Sequence, residues 1–383
     1  MSILGNVQLI KKMNIQLVLE EILESSEITR AQIAKRTGLN KATVSTAVQY
    51  LIDKKLIREE KLVRSGGRPG TAIQFDFKIG MIIALEINYD FLYFYMTDLS
   101  GSVLEQEKVE IANEMDVNDF CSKKIEAYYE KYNNSSVYGV IGIGIGIHGI
   151  VDHNENVVFT PYVFMEDLVF IDELKKKYTG LLYVDNESNL IAIGNRKLYF
   201  KNQNQININI HTGVGSGIII NHQLYKGELG YAGEIGHMIV EKNGKACPCG
   251  NRGCLEQYIS TPAMVKAYHF MTNKKVDFES LVTGIKHKQQ DATKIYSDFI
   301  DYLSIAINNI SITLNPQLIV INSSFISKFP EIISKIEQQL ISKVSHTKII
   351  SINEFNRLSI VQGICDSLMN RWLNEGAWIK DIT

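Results

Sequence analysis

The sequence predicts an α/β protein with a small, mainly helical N-terminal domain and a larger body in which strands alternate with helices. Amphipathic helical segments separated by a glycine occupy residues 14–55, and β-rich runs alternate with helical ones from Gly80 onward. The 383 residues are 45% hydrophobic and 21% charged, which is ordinary for a globular protein of two or three domains. We therefore predict a first domain over residues 1–76 and a two-lobed body over residues 77–383.

Charge is divided unevenly between these two parts. Residues 1–70 carry twelve Lys and Arg against seven Asp and Glu, whereas the rest of the chain carries 28 and 35. A basic domain on an acidic body suggests a polyanionic partner for that domain alone, although a chance division of charge gives the same pattern. No apolar run reaches the roughly 18 residues that span a membrane, and Lys11 and Lys12 precede an amphipathic segment, unlike a signal peptide. We expect a cytoplasmic protein without a membrane partner.

The N-terminal domain has the pattern of a helix-turn-helix. One helical face of residues 14–25 collects the apolar side chains Ile15, Val18, Leu19, Ile22 and Leu23. Thr29 suits the N-cap of a short helix that ends near Gly38, and Asn40 caps a second helix from Lys41 to about Lys55. The outward positions of this second helix are short polar or basic groups that suit base edges and phosphates in a major groove. The predicted DNA contacts on this helix are Asn40, Lys41, Thr43, Ser45, Thr46 and Gln49.

A β-hairpin is expected after the second helix. Residues 56–58 and 63–64 are β-rich, residues 65–70 (SGGRPG) form a turn, and residues 71–75 return as a strand. A hairpin in this place is a wing, and Arg68 on its glycine-rich tip can enter a narrow minor groove of DNA. A flexible interdomain linker with an incidental arginine is the alternative interpretation.

The body is expected to contain two lobes built on β-sheets. Glycine and β-branched residues dominate the longest apolar run, residues 137–147, which predicts a buried strand. A turn at residues 98–101 leads to a further strand. The other predicted strands cover residues 81–87, 91–97, 181–184, 206–210, 218–220 and 318–321, and the predicted helices cover residues 117–132 and 301–314.

Cysteine usage indicates a metal site and not a disulfide framework. Three of the five cysteines fall within eight residues, while Cys121 and Cys365 stand alone. The predicted ligands are His237, Cys247, Cys249 and Cys254. Three thiolates and one imidazole suit tetrahedral Zn²⁺ and leave no open position, so we predict a structural zinc and not one that activates water. Four unrelated side chains are the alternative.

Two carboxylates flank these ligands in the sequence. Glu234 lies just before His237, and Glu256 lies just after Cys254. If one metal site fixes both carboxylates, they can accept hydrogen bonds from adjacent sugar hydroxyls. They are equally well explained as solvated surface charges, and the spacing alone does not separate these interpretations.

The combined pattern resembles the ROK family (repressors, open reading frames and sugar kinases), and within it the xylose-repressor type. Residues 234–237 (EIGH) look like the family's ExGH motif, and residues 247–254 (CPCGNRGC) look like its CxCGxxGC zinc motif. The resemblance covers essentially the whole chain, and the N-terminal domain is similar to one that the family's repressors carry and its kinases lack. It implies an actin-like, two-lobed ATPase body with a sugar bound in the cleft.

The resemblance also implies site residues and shows departures from the kinases. The implied sugar contacts are Asn186, Glu187, Glu234, His237 and Glu256. Residues 185–189 read DNESN where the kinases have a sequence like ENDAN, so Glu187 stands in place of the general base. The kinases' first phosphate loop, like DIGGT, corresponds to residues 86–90 (EINYD), and their adenosine turn corresponds to residues 322–324 (NSS). We predict no kinase activity, because phosphoryl transfer depends on positioning and charge stabilisation.

Three further segments bear on the ligand. Residues 212–217 (TGVGSG) match the second phosphate loop, although tight strand packing explains these glycines as well. His148 stands where family members often carry proline, and it is either a sugar contact or a buried, hydrogen-bonded histidine. Residues 161–165 (PYVFM) replace a stretch that borders the sugar in other members, which makes a standard hexose pocket doubtful. The pairing of Asn186 with Glu187, shared with the xylose-repressor type, favours a pentose.

The expected mechanism is that of a repressor released by a sugar. Two subunits pair through their bodies, as a dimer or a dimer of dimers, and present two heads to palindromic operator DNA. Lys41, Arg58 and Lys61 contact phosphates, and a small sugar, with xylose favoured, shifts the arrangement of the lobes and lowers the operator affinity. One alternative is an active sugar kinase with an appended DNA-binding head. The other is a regulator with a vestigial sugar site that answers to a protein partner.

Overall fold

The N-terminal domain is a three-helix unit followed by a hairpin. The computed structural model describes residues 3–25, 27–62, 70–112, 114–160, 168–200, 203–344, 347–352, 357–375 and 378–379. The first elements are α1 (Ile3–Leu23), α2 (Arg30–Thr37), α3 (Lys41–Asp53), β1 (Ile57–Leu62) and β2 (Gly70–Phe75). Since α2 and α3 are joined by a tight turn and β1 pairs with β2 antiparallel, the predicted winged helix-turn-helix is confirmed.

The ends of α2 and α3 form for the local reasons that the sequence indicates. Thr29 and Gln32 make a reciprocal capping box at the start of α2, and Gly38 takes the left-handed conformation, with φ 73°, at its end. The Asn40 side chain accepts a hydrogen bond of 2.8 Å from the Thr43 backbone N–H at the start of α3. Helix α3 ends at Asp53, slightly before the predicted end at about Lys55.

The first helix is longer than the one predicted over residues 14–25, because it begins at Ile3. Its second half supplies the predicted core residues: Ile15, Val18, Leu19 and Ile22 are buried, and Leu23 packs against them. The first half exposes the apolar side chains of Val7, Leu9, Ile10 and Met13. Because these side chains stay exposed, they do not belong to the buried face from which the helix was predicted.

The hairpin of the N-terminal domain pairs in register from Ile57 opposite Phe75 to Leu62 opposite Gly70. An ion pair between Arg30 and Glu59 connects the hairpin with α2. Residues 63–69, which include the predicted minor-groove residue Arg68, lie outside the described residues, so the contact predicted for Arg68 stays a prediction.

Lobe I contains one five-stranded sheet with the order β5-β4-β3-β6-β9. Strand β3 is antiparallel to β4 and parallel to β6, which in turn is parallel to β9. The elements of lobe I are β3 (Met81–Ile87), β4 (Phe91–Asp98), β5 (Val103–Glu110), α4 (Val117–Tyr132), β6 (Val140–Ile147), a small hairpin of β7 (Ile150–Val151) and β8 (Val157–Phe159), α5 (Val169–Lys177) and β9 (Leu181–Asn186).

Lobe II repeats this arrangement after the helix α6 (Glu187–Leu198). Its sheet has the order β12-β11-β10-β13-β14, again with one antiparallel side and two parallel additions. The elements of lobe II are β10 (Gln205–Ile210), β11 (Val214–Ile220), β12 (Gln223–Leu224), α7 (Glu256–Ile259), α8 (Thr261–Thr272), α9 (Phe278–Lys286), α10 (Gln290–Leu314), β13 (Leu318–Ser323), α11 (Ser324–Lys328), α12 (Ile332–Gln339) and β14 (Lys348–Ile352). This duplication confirms the predicted two-lobed, actin-like body.

Two predictions for lobe II need correction. Helix α10 begins at Gln290, well before the predicted start at residue 301, because its apolar face continues through Ala292, Ile295 and Phe299. The glycine-rich segment at residues 213–217 is mostly strand, since residues from Val214 onward belong to β11 and pair with β10.

A long helix that the sequence pattern did not lead us to predict, α13 (Arg357–Glu375), packs along α6 and against strands β3, β6 and β9 of lobe I. The two helices touch through glycine: a Cβ on Gly194 would lie 1.9 Å from the Ser359 carbonyl oxygen, and one on Gly363 would lie 2.1 Å from the Leu190 carbonyl oxygen. A Cβ on Gly144 of β6 would likewise lie 2.1 Å from Ile364. The glycines of the buried strand therefore make room for α13.

The N-terminal domain is held against the end of α13. The Tyr50 hydroxyl of α3 donates a hydrogen bond of 2.9 Å to the Trp378 carbonyl oxygen, and the Tyr138 hydroxyl donates one of 2.7 Å to the Lys54 carbonyl oxygen. The Trp372 ring packs edge-on against Tyr138 with centroids 5.0 Å apart. These contacts, which we call the clasp, join the end of α3 to the body.

Among the residues that the structure describes, none of the helices is both long enough and apolar enough to cross a membrane.

Candidate functional site

The predicted metal ligands converge in the structure. One ligand atom from each of His237, Cys247, Cys249 and Cys254 lies within 4.8 Å of every other. The Cys247 Sγ lies 3.6 Å from the His237 Nδ1, and the Cys249 Sγ lies 3.7 Å from the Cys254 Sγ. Zinc bond lengths in a tetrahedron imply separations of about 3.6 Å for sulfur to nitrogen and about 3.8 Å for sulfur to sulfur. The four side chains therefore fit Zn²⁺ with all positions filled by protein.

Short-range backbone contacts shape the loop that carries the cysteines. Cys247 N–H donates to the Asn251 carbonyl oxygen at 2.9 Å, and Gly250 N–H donates to the Cys247 carbonyl oxygen at 3.0 Å. Gly253 has φ 85°, and a Cβ there would lie 1.8 Å from the Glu241 carbonyl oxygen. Only glycine permits both this conformation and this approach, which lets the loop fold back on itself.

The His237 ring connects the metal cluster with the cleft. Its Nδ1 faces Cys247, whereas its Nε2 lies 4.0 Å from the Glu234 carboxylate. A metal on Nδ1 fixes the proton on Nε2, so this nitrogen would act as a donor toward the cleft. The 3-10 turn Ile235–His237 that holds the ring packs on β11, because a Cβ on Gly236 would lie 2.1 Å from the Val214 carbonyl oxygen.

The remaining acidic residues of the predicted sugar site surround His148. The His148 Nδ1 lies 3.1 Å from the Glu187 carboxylate. The Glu256 carboxylate accepts a hydrogen bond of 3.0 Å from the Val214 backbone N–H. A Cβ on Gly213 would lie 2.9 Å from this carboxylate and 3.6 Å from the His148 ring, so both side chains meet at this glycine.

Charge interactions within the cluster shift the pKa values of its side chains. Burial disfavours the His148 imidazolium, but the carboxylates of Glu187, Glu256 and Glu234 outweigh burial and raise its pKa. Burial would raise the pKa of Glu187, yet the neighbouring His148, His211 and Arg357 lower it overall. Burial raises the pKa of Glu234. Both shifts favour the charged forms of His148 and Glu187, whose side chains lie 3.1 Å apart.

Asn186 lies at the start of α6, and its side chain already makes two hydrogen bonds within the protein. Its carboxamide oxygen accepts a hydrogen bond of 2.7 Å from the Ser188 backbone N–H, and its NH₂ group donates to the Gly149 carbonyl oxygen. The side chain thus fixes the β9–α6 junction and the segment after His148. The prediction that it contacts a sugar stays a prediction, and such a contact would use the second N–H or the second oxygen lone pair of the carboxamide.

The place of the first phosphate loop is filled by an internal ion pair. Glu86, at the end of β3, contacts the Arg357 guanidinium at the start of α13. The guanidinium also stacks over the Tyr93 ring, 3.9 Å from its centroid. Burial raises the pKa of Glu86 to about 7, although Arg357 opposes this shift. Sequence reasoning missed Arg357, because no motif connects a residue so distant in the chain with the cleft.

The retained glycines of β11 pack against α6. A Cβ on Gly217 would lie 2.5 Å from the Ser188 carbonyl oxygen, and one on Gly215 would lie 2.5 Å from the Ser188 hydroxyl. Close packing alone accounts for these two glycines. Of the two interpretations given for residues 212–217, the structural one therefore has direct support.

The predicted DNA-contacting residues of the head lie together at the start and on the outer side of α3. Asn40, Lys41, Ser45, Thr46 and Gln49 are exposed and Thr43 is half-buried. The Thr46 hydroxyl donates to the Ala42 carbonyl oxygen at 3.0 Å, and the Gln49 amide donates to Asp53 at 2.8 Å. The opposite face is buried through Val44, Ala47, Val48 and Leu51. The outer face is therefore polar, accessible and rigidly supported.

Fold and site together define a class of protein: a winged helix-turn-helix head on a two-lobed, sugar-kinase-like body with four side chains beside the cleft that could hold a metal. The chain belongs to the ROK family, which residues 82–364 match, and residues 17–68 match the MarR family.

Similar proteins include several repressors. The chain is 35% identical to the xylose repressor of Bacillus spizizenii, with 88% of each protein covered. It is 31% identical to the xylose repressor of Staphylococcus xylosus, over 84% of this chain and 85% of the relative.

Solved structures support the same architecture. A ROK family transcriptional regulator, described as a homolog of the E. coli MLC protein, has a TM-score of 0.81 at 24% identity and covers 97% of this chain and 99% of its own. A ROK family glucokinase from Streptomyces griseus has a TM-score of 0.60 at 20% identity and covers 74% of this chain and 98% of its own. At these identities the two structures show the fold alone.

Proposed function

We propose that this protein represses sugar-utilisation genes and leaves its operator when a small sugar, with xylose favoured, binds in the cleft. One observation supports the proposal above all: the same chain has an exposed polar face on α3 and a cluster of carboxylates and imidazoles around His148. Relatives named xylose repressor at 31% and 35% identity support this function and its non-enzymatic character. We assign DNA binding to residues 1–76 and sugar sensing to residues 77–383.

The DNA-binding role falls to the head. The outer residues of α3 would read base edges in the major groove, while Lys41, Arg58 and Lys61 would contact phosphates. Arg68 would enter the minor groove beside them. Phosphate contacts raise affinity without sequence preference, so specificity would depend on Thr43, Ser45, Thr46 and Gln49.

The sugar-binding role falls to five residues around His148. Glu187, Glu234 and Glu256 would accept hydrogen bonds from sugar hydroxyls, and the Nε2 of His237 would donate one. Asn186 would complete the site from the start of α6. Because buried carboxylates are costly without hydrogen bonds, hydroxyl groups that replace water in this cluster must match its acceptors closely. This requirement gives the site its selectivity among sugars.

The metal would be a structural Zn²⁺ held by His237, Cys247, Cys249 and Cys254. Bound zinc would supply a rigid anchor for the loop from Glu234 to Glu256, without an open position for substrate. The protein ligands keep the His237 ring turned toward Glu234, and α7 keeps Glu256 within reach of the Val214 N–H.

The cleft does not favour phosphoryl transfer. Arg357 and Glu86 occupy the region that corresponds to the first phosphate loop, and their ion pair commits the guanidinium to a protein carboxylate instead of a phosphate. Glu187 is held by His148 and would serve as a hydroxyl acceptor. Because kinases such as the Streptomyces griseus glucokinase share the fold, the experiment must also test for residual ATP turnover.

We further propose that two subunits, or a dimer of dimers, pair through their bodies in the cytoplasm and present two heads to a palindromic operator. The sugar would act by binding one arrangement of the lobes more tightly than the other. Its effect on DNA affinity cannot exceed that difference in affinity.

The test is fluorescence anisotropy of labelled DNA from upstream of this gene and of neighbouring sugar genes, at a fixed salt concentration. Xylose, glucose and other sugars are titrated with and without ATP. We expect tight binding that one sugar relieves and ATP does not change. Sugar-dependent ATP hydrolysis would instead support the kinase, and specific binding that no sugar alters would favour a regulator that answers to a protein partner.

A further inference from the structure

A loop of lobe II reaches across the cleft to lobe I. Residues 225–232 follow β12 and lead directly into Gly233 and Glu234, and the loop is closed by a hydrogen bond of 3.0 Å from Ala232 N–H to the Lys226 carbonyl oxygen. The Gly227 carbonyl oxygen contacts the His153 ring on the β7–β8 hairpin. A Cβ on Gly230 would lie 2.6 Å from the Val151 carbonyl oxygen. The loop and the hairpin are therefore in direct backbone contact.

At the centre of this contact lies a buried ion pair between the lobes. The Lys226 ammonium lies 3.2 Å from the Asp185 carboxylate and donates to the Asp152 carbonyl oxygen at 3.3 Å. The Lys226 side chain is 12% exposed and that of Asp185 is fully buried. Such a pair is costly to form and more costly to break on one side only, because the remaining charge stays buried.

Asp185 also connects the ion pair with the start of α6 through hydrogen bonds. Its carboxylate accepts hydrogen bonds from the Asn186 backbone N–H at 2.8 Å, the Asn189 amide at 2.9 Å and the Tyr183 hydroxyl at 2.7 Å. Asn186 and Glu187 follow it directly in the chain. A displacement of Asp185 would therefore move both proposed sugar contacts of lobe I.

We infer that Lys226 is a positioning residue for the effector: its ion pair with Asp185 holds Asn186 and Glu187 in register with Glu234 on the other lobe. This inference rests on the proposed function and names the contact that makes the two halves of the sugar site act as one. The loop is joined to Glu234 by the chain itself, and its ion pair is with Asp185, two residues before Glu187. An effector that contacts both halves then binds best when the ion pair is intact.

The experiment compares Lys226→Met, Lys226→Gln and Lys226→Arg with the full-length, zinc-loaded wild-type protein. Calorimetric titration with D-xylose, and with D-glucose as a second probe, gives sugar affinity, and operator anisotropy without sugar gives DNA affinity. We expect the Met and Gln variants to bind the sugar at least tenfold more weakly and to keep operator affinity within twofold. Lys226→Arg restores sugar affinity to within about threefold of wild type, because it retains the charge.

Lys175→Met is the matched control. Lys175 also reaches the β7–β8 hairpin, donating to Asn156 at 2.9 Å, but it does so from α5 within lobe I. Its loss should leave sugar affinity unchanged. Equal losses for Lys175→Met and Lys226→Met, unchanged sugar affinity in both neutral Lys226 variants, or failure of Lys226→Arg to restore binding would each overturn the inference.

The inference and the proposed function fail in different ways. If the wild-type protein binds neither D-xylose, D-glucose nor any other sugar that releases the operator, the proposed function is wrong and the inference falls with it. If the wild type responds to a sugar and the Lys226 variants respond equally, only the inference is wrong. Should Lys226→Met fail to fold, Lys226→Gln, which keeps a donor for Asp185, decides the result.

Discussion

Removal of the two hydroxyl groups in the clasp should uncouple the head from the sugar. The double variant Tyr50→Phe with Tyr138→Phe keeps both rings but deletes the bonds to the Trp378 and Lys54 carbonyl oxygens, of 2.9 and 2.7 Å. Helix α13 connects this clasp with the cleft, since it begins at Arg357, beside Glu86. A head that is no longer fixed to α13 should still bind DNA but should respond weakly to the arrangement of the lobes.

The magnitude follows from the two bonds. Each contributes about 1 kcal/mol net, so their loss removes about 2 kcal/mol of head-to-body attachment. Allosteric coupling is typically about 1 to 3 kcal/mol. Since about 1.4 kcal/mol is a factor of ten, the weakening of operator binding by sugar should shrink by roughly 10- to 30-fold, or disappear where the wild-type effect is smaller.

The assay measures operator affinity by anisotropy at saturating and at zero sugar, and sugar affinity by calorimetry with and without operator DNA. Coupling between two binding sites is reciprocal, so both ratios must fall by the same factor in the variant. Tyr178→Phe is the matched control, because its hydroxyl donates 2.9 Å to the Val140 carbonyl oxygen entirely within lobe I. Undiminished coupling in the double variant, or an equal loss in Tyr178→Phe, would refute the reasoning.

Four further outcomes are expected. Cys249→Ser, or removal of metal with a chelator, should lower bound zinc measured by elemental analysis and abolish sugar binding, because the loop from Glu234 to Glu256 loses its anchor; retained sugar affinity would contradict this. Asn40→Ala should weaken operator binding and lower the free energy of unfolding by about 1 kcal/mol in urea titrations, because the cap of α3 is lost. Glu187→Gln should weaken sugar binding at least tenfold in calorimetry with operator affinity unchanged, since a charged acceptor becomes neutral; an equal affinity would remove Glu187 from the site. Burial raises the pKa of Glu86 from 4.5 to about 7, so the folded chain binds a proton that the unfolded chain has lost in this window. The stability from Glu86 is therefore full below about pH 4.5 and declines toward pH 7, by up to about 3 kcal/mol. Glu86→Gln should flatten this decline in urea titrations at pH 5 and 7.5, and an unchanged slope would show that Glu86 is not its source.

Much of this protein could be predicted because its signals are local. The caps at Thr29 and Asn40, the turn at Gly38 and the buried face of α3 each depend on a few neighbouring residues, and the structure confirms them. The metal ligands were also predictable as a set, because three lie in one short loop and glycines within the loop fix its shape.

Other features depend on residues far apart in the chain, and no local pattern could reveal them. Helix α13 itself has a readable pattern, with apolar pairs every four residues from Ile360 to Leu373. Its docking along α6 does not, because it depends on the close approach of Gly194 and Gly363 to distant backbone carbonyls. The ion pairs of Arg357 with Glu86 and of Lys226 with Asp185 join segments separated by 271 and 41 positions, respectively. Charged residues at such positions look like ordinary surface charges in the sequence.

The sequence by itself determined the kind of protein: a DNA-binding head, a sugar-kinase-like body and a set of four side chains that could hold a metal. Only the tertiary structure decided how these parts are joined. It placed His148 among the three carboxylates, filled the place of the phosphate loop with Arg357, and attached α3 to the end of α13 through Tyr50. The physical reason is that capping, turns and ligand spacing are fixed within a few residues. Ion pairing and helix docking are fixed by the burial of groups that meet only after the chain has folded.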